Sequence, residues 1–215
     1  MGRASTKTIS SFGTIVTAAV GIAVAAVVGV ALHKLNKERN EKRAVVSVVT
    51  ETTSHLRNSL KTAAPGALEN IEGNLRVAKS WSNPELSDAT EHYLLGAREM
   101  LRRRTEAERL AQKAAASRAA LAAHMRNAGQ RGTGWIHAAS DLKKRVERDH
   151  FDLQVQLSAL AELLDSLPEA NKRLAPHVQA SLLLEDDVRK KARLAVLAEA
   201  KRASAELEKA RNLGR

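Results

Sequence analysis

Residues Pro84–Ala128 read PELSDATEHYLLGAREMLRRRTEAERLAQKAAASRAALAAHMRNA. Apart from Gly96 nothing inside this stretch interrupts a helix. It spans roughly 67 Å at 1.5 Å per residue. Its entrance, Ser82-Asn83-Pro84-Glu85, has a capping side chain, proline in the first turn, and acids at Glu85 and Asp88. Leu86, Tyr93, Met100, Ala107, Ala114 and Leu121 recur at seven-residue intervals, which predicts a helix-packing seam. The companion stripe is Thr90, Ala97, Arg104, Ala111, Arg118 and Met125. Its two arginines weaken a two-stranded coiled coil, so the helix reads as one side of a helical hairpin.

On the carboxyl-terminal side, Gly129, Gly132 and Gly134 predict the hairpin turn over 129–134. GQRGTG has neither a preceding strand nor a closing Lys-Ser/Thr, so neither nucleotide fingerprint is met. A second long helix is expected from Trp135 to Leu167, with Val146, Leu153, Leu160 and Leu167 on its seam. Asp149 and Gln156 fall on the neighbouring stripe, where they set register or sit at a solvated edge. Pro168-Glu169 reads as the start of a further helical stretch, with a kink or short break at Pro176. From His177 the expectation is helix to about Asn212. Within it, Glu185–Arg189, Asp186–Lys190 and Asp187–Lys191 are spaced as solvated ion pairs.

On the amino-terminal side, Pro65-Gly66 punctuates the chain before a short helix over Ala67–Ser80. Lys34–Ala64 contains no Gly or Pro and reads as helix, with strand a minor alternative at the β-branched Arg43–Thr53. Farther back lies FGTIVTAAVGIAVAAVVGVAL, Phe12–Leu32, without a charge. As a helix it spans roughly 30 Å, the thickness of a bilayer's hydrocarbon core. The run is too long for a secretory signal peptide and too uniformly apolar for a transit peptide. It predicts a retained single-pass anchor. Gly13, Thr17, Gly21, Ala25 and Gly29 share one small-residue ridge suited to transmembrane helix packing. Lys34, Lys37, Arg39, Lys42 and Arg43 follow at once, as contacts for anionic lipid headgroups. More cations follow the run than precede it, which places the carboxyl-terminal body in the cytoplasm and the short amino terminus outside, in a bacterial inner membrane or an organellar membrane.

The expected organisation is therefore all-α: a polar tail (1–11), a transmembrane helix (12–33), a basic juxtamembrane helix (34–64), a short plus a long helix (65–128), a glycine turn (129–134), and two further long helices (135–215). Beyond the anchor the only aromatics are Trp81, Tyr93, Trp135 and Phe151, so thin Ala/Leu helix packing is expected rather than a thick core. Net charge is +11.

The chain has no cysteine, which excludes disulfides, thiolate metal sites and cysteine nucleophiles. Glu147 and His150 form a lone Glu-x-x-His without the second copy that a dimetal bundle requires, so a surface ion pair is the default. The seven histidines show no paired-ligand spacing. No catalytic, cofactor-binding or metal-binding residues are assigned, and no small-molecule substrate is expected. Arg98, Arg102, Arg103, Arg104, Arg109 and Lys113 make one basic helical segment. Too few aromatics accompany it for a nucleic-acid stacking platform. The expectation is a non-catalytic membrane scaffold, tether or accessory subunit, with protein partners or a second copy bound through helix packing. A signal-transducing sensor and an anchored nucleic-acid adaptor are the alternatives.

Overall fold

The computed structural model describes residues 10–60, 66–126 and 132–212, with side chains from His33 onward. It is all-α, in the order α1 (Ser10–Ser59), α2 (Ala67–Lys79), α3 (Pro84–Arg126), α4 (Thr133–Leu174) and α5 (Asp186–Asn212). The chain divides into two compact units, Met1–Ala44 and Val45–Arg215. Among the described residues no helix is long and apolar enough to cross a membrane. The run Phe12–Leu32 and its ridge Gly13, Thr17, Gly21, Ala25 and Gly29 lie outside the described side chains.

In the first unit, Lys34, Lys37, Arg39, Lys42 and Arg43 are all exposed on α1.

In the second unit, the β-branched stretch after Arg43 is helical and not a strand. Val45, Val48, Val49, Thr52, Thr53 and Leu56 are buried, at the i, i+3, i+4, i+7 spacing of one helical face. Tertiary burial of that face outweighs the weak helix propensity of valine and threonine. Gly66 precedes α2 at φ 82°, a left-handed conformation that favours glycine. Asn74 Nδ2 donates to Glu51 Oε2 at 3.3 Å, and Asn70 Nδ2 lies 3.2 Å from His55 Nε2, so α2 runs antiparallel to the end of α1.

The entrance to α3 forms as its sequence predicts. The Leu86 N–H donates to Asn83 Oδ1 at 3.2 Å, and Pro84 occupies the first helical position. The Ser87 hydroxyl donates to the Ala78 carbonyl at 2.9 Å, tying the start of α3 to the open end of α2.

The main core runs from Val45 through Ile71, Tyr93, Leu160 and Leu184 to Ala203. A smaller cluster of Leu121, Val146, Leu207 and Ala210 continues it. Tyr93 is the one aromatic among the largest fully buried side chains, in keeping with a thin aliphatic core. Thr53 and Tyr93 share a buried 2.7 Å hydrogen bond between their hydroxyls. Because α3 packs against α2 as well as α4, the arrangement is a helical bundle and not a long two-stranded coiled coil.

The expected helix start at Pro168 does not occur. α4 passes through Pro168 and ends at Leu174. Proline has no N–H to give the Leu164 carbonyl one turn back. Arg189 of α5 supplies the missing donor, its Nη1 lying 3.2 Å from that oxygen. The same guanidinium reaches Asp165 at 3.3 Å and Asp186 at 2.6 Å. The helix therefore absorbs the proline through a tertiary contact that no local pattern records. This makes Arg189→Met costly, by about 1–3 kcal/mol for an unsatisfied buried carbonyl. In a Pro168→Ala background the restored backbone bond should remove much of that cost. Urea denaturation of the four chains measures the coupling, and strictly additive losses would exclude the capping role.

The break expected near Pro176 does form, and it is longer than expected. Residues 175–185 hold only a short 3-10 turn, Ala180–Leu182, so helix does not resume at His177. In an α-helix the consecutive Leu182, Leu183 and Leu184 would point in three directions. The irregular chain instead buries both Leu183 and Leu184, together with Val178.

Candidate functional site

The predicted seam residues Leu86, Tyr93, Met100, Leu121, Val146, Leu153, Leu160 and Leu167 are all buried within the bundle. Burial pushes the Tyr93 phenol above its ordinary value, against the opposing pull of the Thr53 hydrogen bond and the Arg57 charge. Two polar contacts align α3 with α4 in antiparallel register. Arg103 Nη1 donates to Gln156 Oε1 at 2.8 Å, and Lys113 Nζ lies 2.8 Å from Asp149 Oδ1. Asp149 is only 1% exposed. Its oxygens receive no well-directed hydrogen bond, so Lys113, with Arg145 at 4.0 Å, holds it mainly as a charge. Both polar residues of the neighbouring stripe thus meet α3 rather than a solvated edge.

The arginines in the second α3 stripe are where a third helix attaches. Arg104 is nearly enclosed, with Nε 3.2 Å from Glu108 and Nη1 2.8 Å from Glu199 of α5. Arg118 pairs with Glu206, also on α5. Arg104 and Arg118 precede one another in the same order as Glu199 and Glu206, so α5 runs parallel to α3. Its contacts with α4 run the opposite way: Arg193 to Asp165 at 2.7 Å, Gln154 to Ser204 at 2.6 Å, and Arg211 to Glu147 at 3.1 Å.

Two expectations about charged groups are corrected. Glu147 and His150 do not form a surface ion pair: Glu147 takes Arg211, whereas His150 is buried with Nδ1 2.9 Å from the Val146 carbonyl. They stand three residues apart, one on the solvent side and one on the core side of α4. Among the described residues no cluster of His, Asp or Glu side chains is arranged to hold a metal ion. In the block 185–191, Asp186–Lys190 forms at 2.6 Å, but Glu185 precedes α5 and pairs with Arg57 at 3.0 Å. Hydrogen bonds from Lys190 and then Arg189 hold the Asp186 carboxyl below its ordinary value. With a folded pKa below the unfolded one, this contribution is complete above the ordinary aspartate range and fades as pH falls through the folded value.

The basic segment of α3 is largely occupied by its own acids. Arg102 and Arg103 approach Glu99 at 3.8 and 2.7 Å, and Arg109 binds Glu106 at 2.6 Å. Of the glycine turn, Gly129 lies outside the described residues, while Gly132 precedes α4 and Gly134 lies within it. Trp135 stacks on His124 at 4.8 Å between ring centroids, closing the hairpin. A groove of about 420 Å³ among α3, α4 and α5 is walled by Ala111, Ala114, Leu153 and Ala203, with His150 beside it and Arg118 and Glu206 at its edge. Small alanine side chains leave that space.

A further surface escapes the seven-residue pattern. Phe151 and Val155 on α4 are 63% and 46% exposed, and Leu194 and Leu197 on α5 are 64% and 38% exposed. Their four- and three-residue separations, off the buried stripes, are the sequence signal that could have found them. Comparison with protein-family models, curated proteins and solved structures finds no match for this chain.

Proposed function

We propose that this chain is a non-catalytic, single-pass membrane-anchored helical scaffold or accessory subunit of a larger membrane assembly, with its bundle on the cytoplasmic side. The observation that carries the reading is the order of features along α1, which runs from Ser10 to Ser59. A charge-free run in the sequence is followed by five exposed cations, and then by a valine face buried in the bundle. The cations suit anionic headgroups, and their excess after the run orients the bundle inward. Seam residues are consumed by packing within the bundle, so partners bind through the small-residue ridge or through outer helix faces.

The sensor alternative reads the same order of features along α1 as a route for an anchor movement. A topology reporter at each end separates the two, because the scaffold reading requires the bundle on the cytoplasmic side, whereas a bundle on the opposite side would favour the sensor. The nucleic-acid adaptor is less well supported, since Arg102, Arg103, Arg104, Arg109 and Arg118 of α3 already face acids.

Mild-detergent purification from native membranes, with copy-number mass spectrometry, tests the reading. A stoichiometric co-purifying protein is expected; recovery of a lone chain or of a homo-oligomer alone would overturn it. Gly21→Leu with Gly29→Leu should lower crosslinking of the membrane segment several-fold, because leucine holds helix backbones apart. Unchanged yields would remove the ridge from the account.

A further inference from the structure

Among the described residues of the bundle, nothing covers the outer face of the α4/α5 pair. The contacts Gln154–Ser204, Glu147–Arg211 and Asp165–Arg193 define the line along which the two helices meet. At 3.6 residues per turn, Phe151 and Val155 stand roughly 60° and 100° outward from Gln154. Leu197 and Leu194 stand roughly 20° and 80° outward from Ser204. All four therefore share the solvent side. With the antiparallel pairing, Leu194 lies at the level of Leu164, roughly 20 Å along the axis from Phe151. These four are nearly half of the large apolar side chains that the described residues expose. A single strip of this kind marks an interaction site better than scattered exposure does.

At the Phe151 end a groove of about 730 Å³ opens between the helices, with the nearly buried Leu207 beside Lys144, Arg148 and Arg211. Lys144 and Arg148 on α4 and Lys201 on α5 are exposed, and none of the three makes an ion pair among the described residues. The acids nearby are fewer or engaged. Glu147 and Glu208 both bind Arg211, which leaves Glu162 within the strip and Asp141, three residues before Lys144, as exposed carboxylates of α4 beside three such cations.

We propose that this face docks an amphipathic helix of a partner protein, three to four turns long, whose apolar stripe is flanked by Asp or Glu. The proposal rests on the scaffold reading above and names the chemistry of the partner. Phe151 and the groove beside it take an aliphatic or aromatic anchor, while the lysines and Arg148 pair with the flanking acids. A second copy of the chain fits poorly. A twofold axis through the middle of the strip would set Lys201 against its own copy, and like charges at close range oppose association.

The test uses the full chain in phosphatidylcholine nanodiscs, with empty nanodiscs as the control. Two fluorescent helical peptides with the same Leu/Phe stripe are compared by anisotropy, one flanked by Glu and the other by Lys. The Glu peptide should bind at least tenfold more tightly. Phe151→Ser with Leu197→Ser should weaken it at least tenfold while leaving the melting temperature unchanged, as both side chains are exposed. Lys201→Glu should narrow the preference between the peptides. Equal binding of both peptides, or undiminished binding by the serine variant, would overturn the proposal. So would disulfide crosslinking of Val155→Cys between two copies, or displacement of the peptide by phosphatidylserine vesicles. If a stoichiometric partner still co-purifies with the serine variant, the scaffold reading stands and this face is excluded as its dock. If the unaltered chain brings down no partner, the scaffold reading falls first.

Discussion

Replacing Leu160 by alanine should destabilise the bundle by about 2–5 kcal/mol, the range for a fully buried leucine that leaves a cavity. Leu160 is 0% exposed and belongs to the main core, where α4 meets its neighbours. In a bundle of this size each kcal/mol moves the midpoint by roughly 2–4 °C, so a fall of about 10 °C is expected. Leu160→Asp should be worse, because a carboxylate would be buried with no partner. Phe151→Ser, on the same helix but facing solvent, is the matched control. Differential scanning calorimetry of the three variants makes the comparison. A melting curve for Leu160→Ala that overlays the parent would show that the α4 seam is not buried.

Lys113→Met should give the second large effect, through a charge rather than a cavity. It strands the Asp149 carboxylate, leaving Arg145 at 4.0 Å as its cationic neighbour. Breaking a fully enclosed pair costs about 3–5 kcal/mol. Lys113 is 40% exposed, so water screens part of the interaction and about 2 kcal/mol is the expected loss. Adding Asp149→Asn should recover much of it, since a neutral amide needs no counter-charge. Urea denaturation of the single and double variants measures this. A double variant less stable than Lys113→Met would mean that the pair does not hold α3 and α4 in register.

The two effects differ in how far the sequence announced them. Leu160 was legible because Val146, Leu153, Leu160 and Leu167 keep one face of a helix, and seven-residue spacing is a local property. The start of α3 was legible for the same reason, since Asn83 caps a helix that begins at the next residue, through the Leu86 N–H three residues on. The partner of Asp149 was not legible, because Lys113 lies on another helix and its approach depends on how the hairpin closes. Arg104 shows the same limit. As a stripe position it reads as a defect in a two-stranded seam; as a tertiary contact it is where Glu199 of α5 docks.

Pro168 and His150 mark where local rules were outweighed. A proline in a helical pattern signals a boundary when its orphaned carbonyl has no other donor, and here Arg189 provides one from α5. A Glu-x-x-His reads as one surface pair only while both side chains share a side of the helix. The burial of His150 and the reach of Glu147 to Arg211 separate them.

By itself, the sequence determined the all-α character, the entrance to α3 and the apolar stripes, because these follow from side-chain chemistry over one or two helical turns. The tertiary structure decided the rest: that α4 continues through Pro168, that residues 175–185 bury two leucines instead of extending a helix, and that α5 lies parallel to α3. It also decided which apolar side chains remain uncovered on the α4/α5 face. Those outcomes depend on which helix faces meet, and residues far apart in the chain compete for that burial at once.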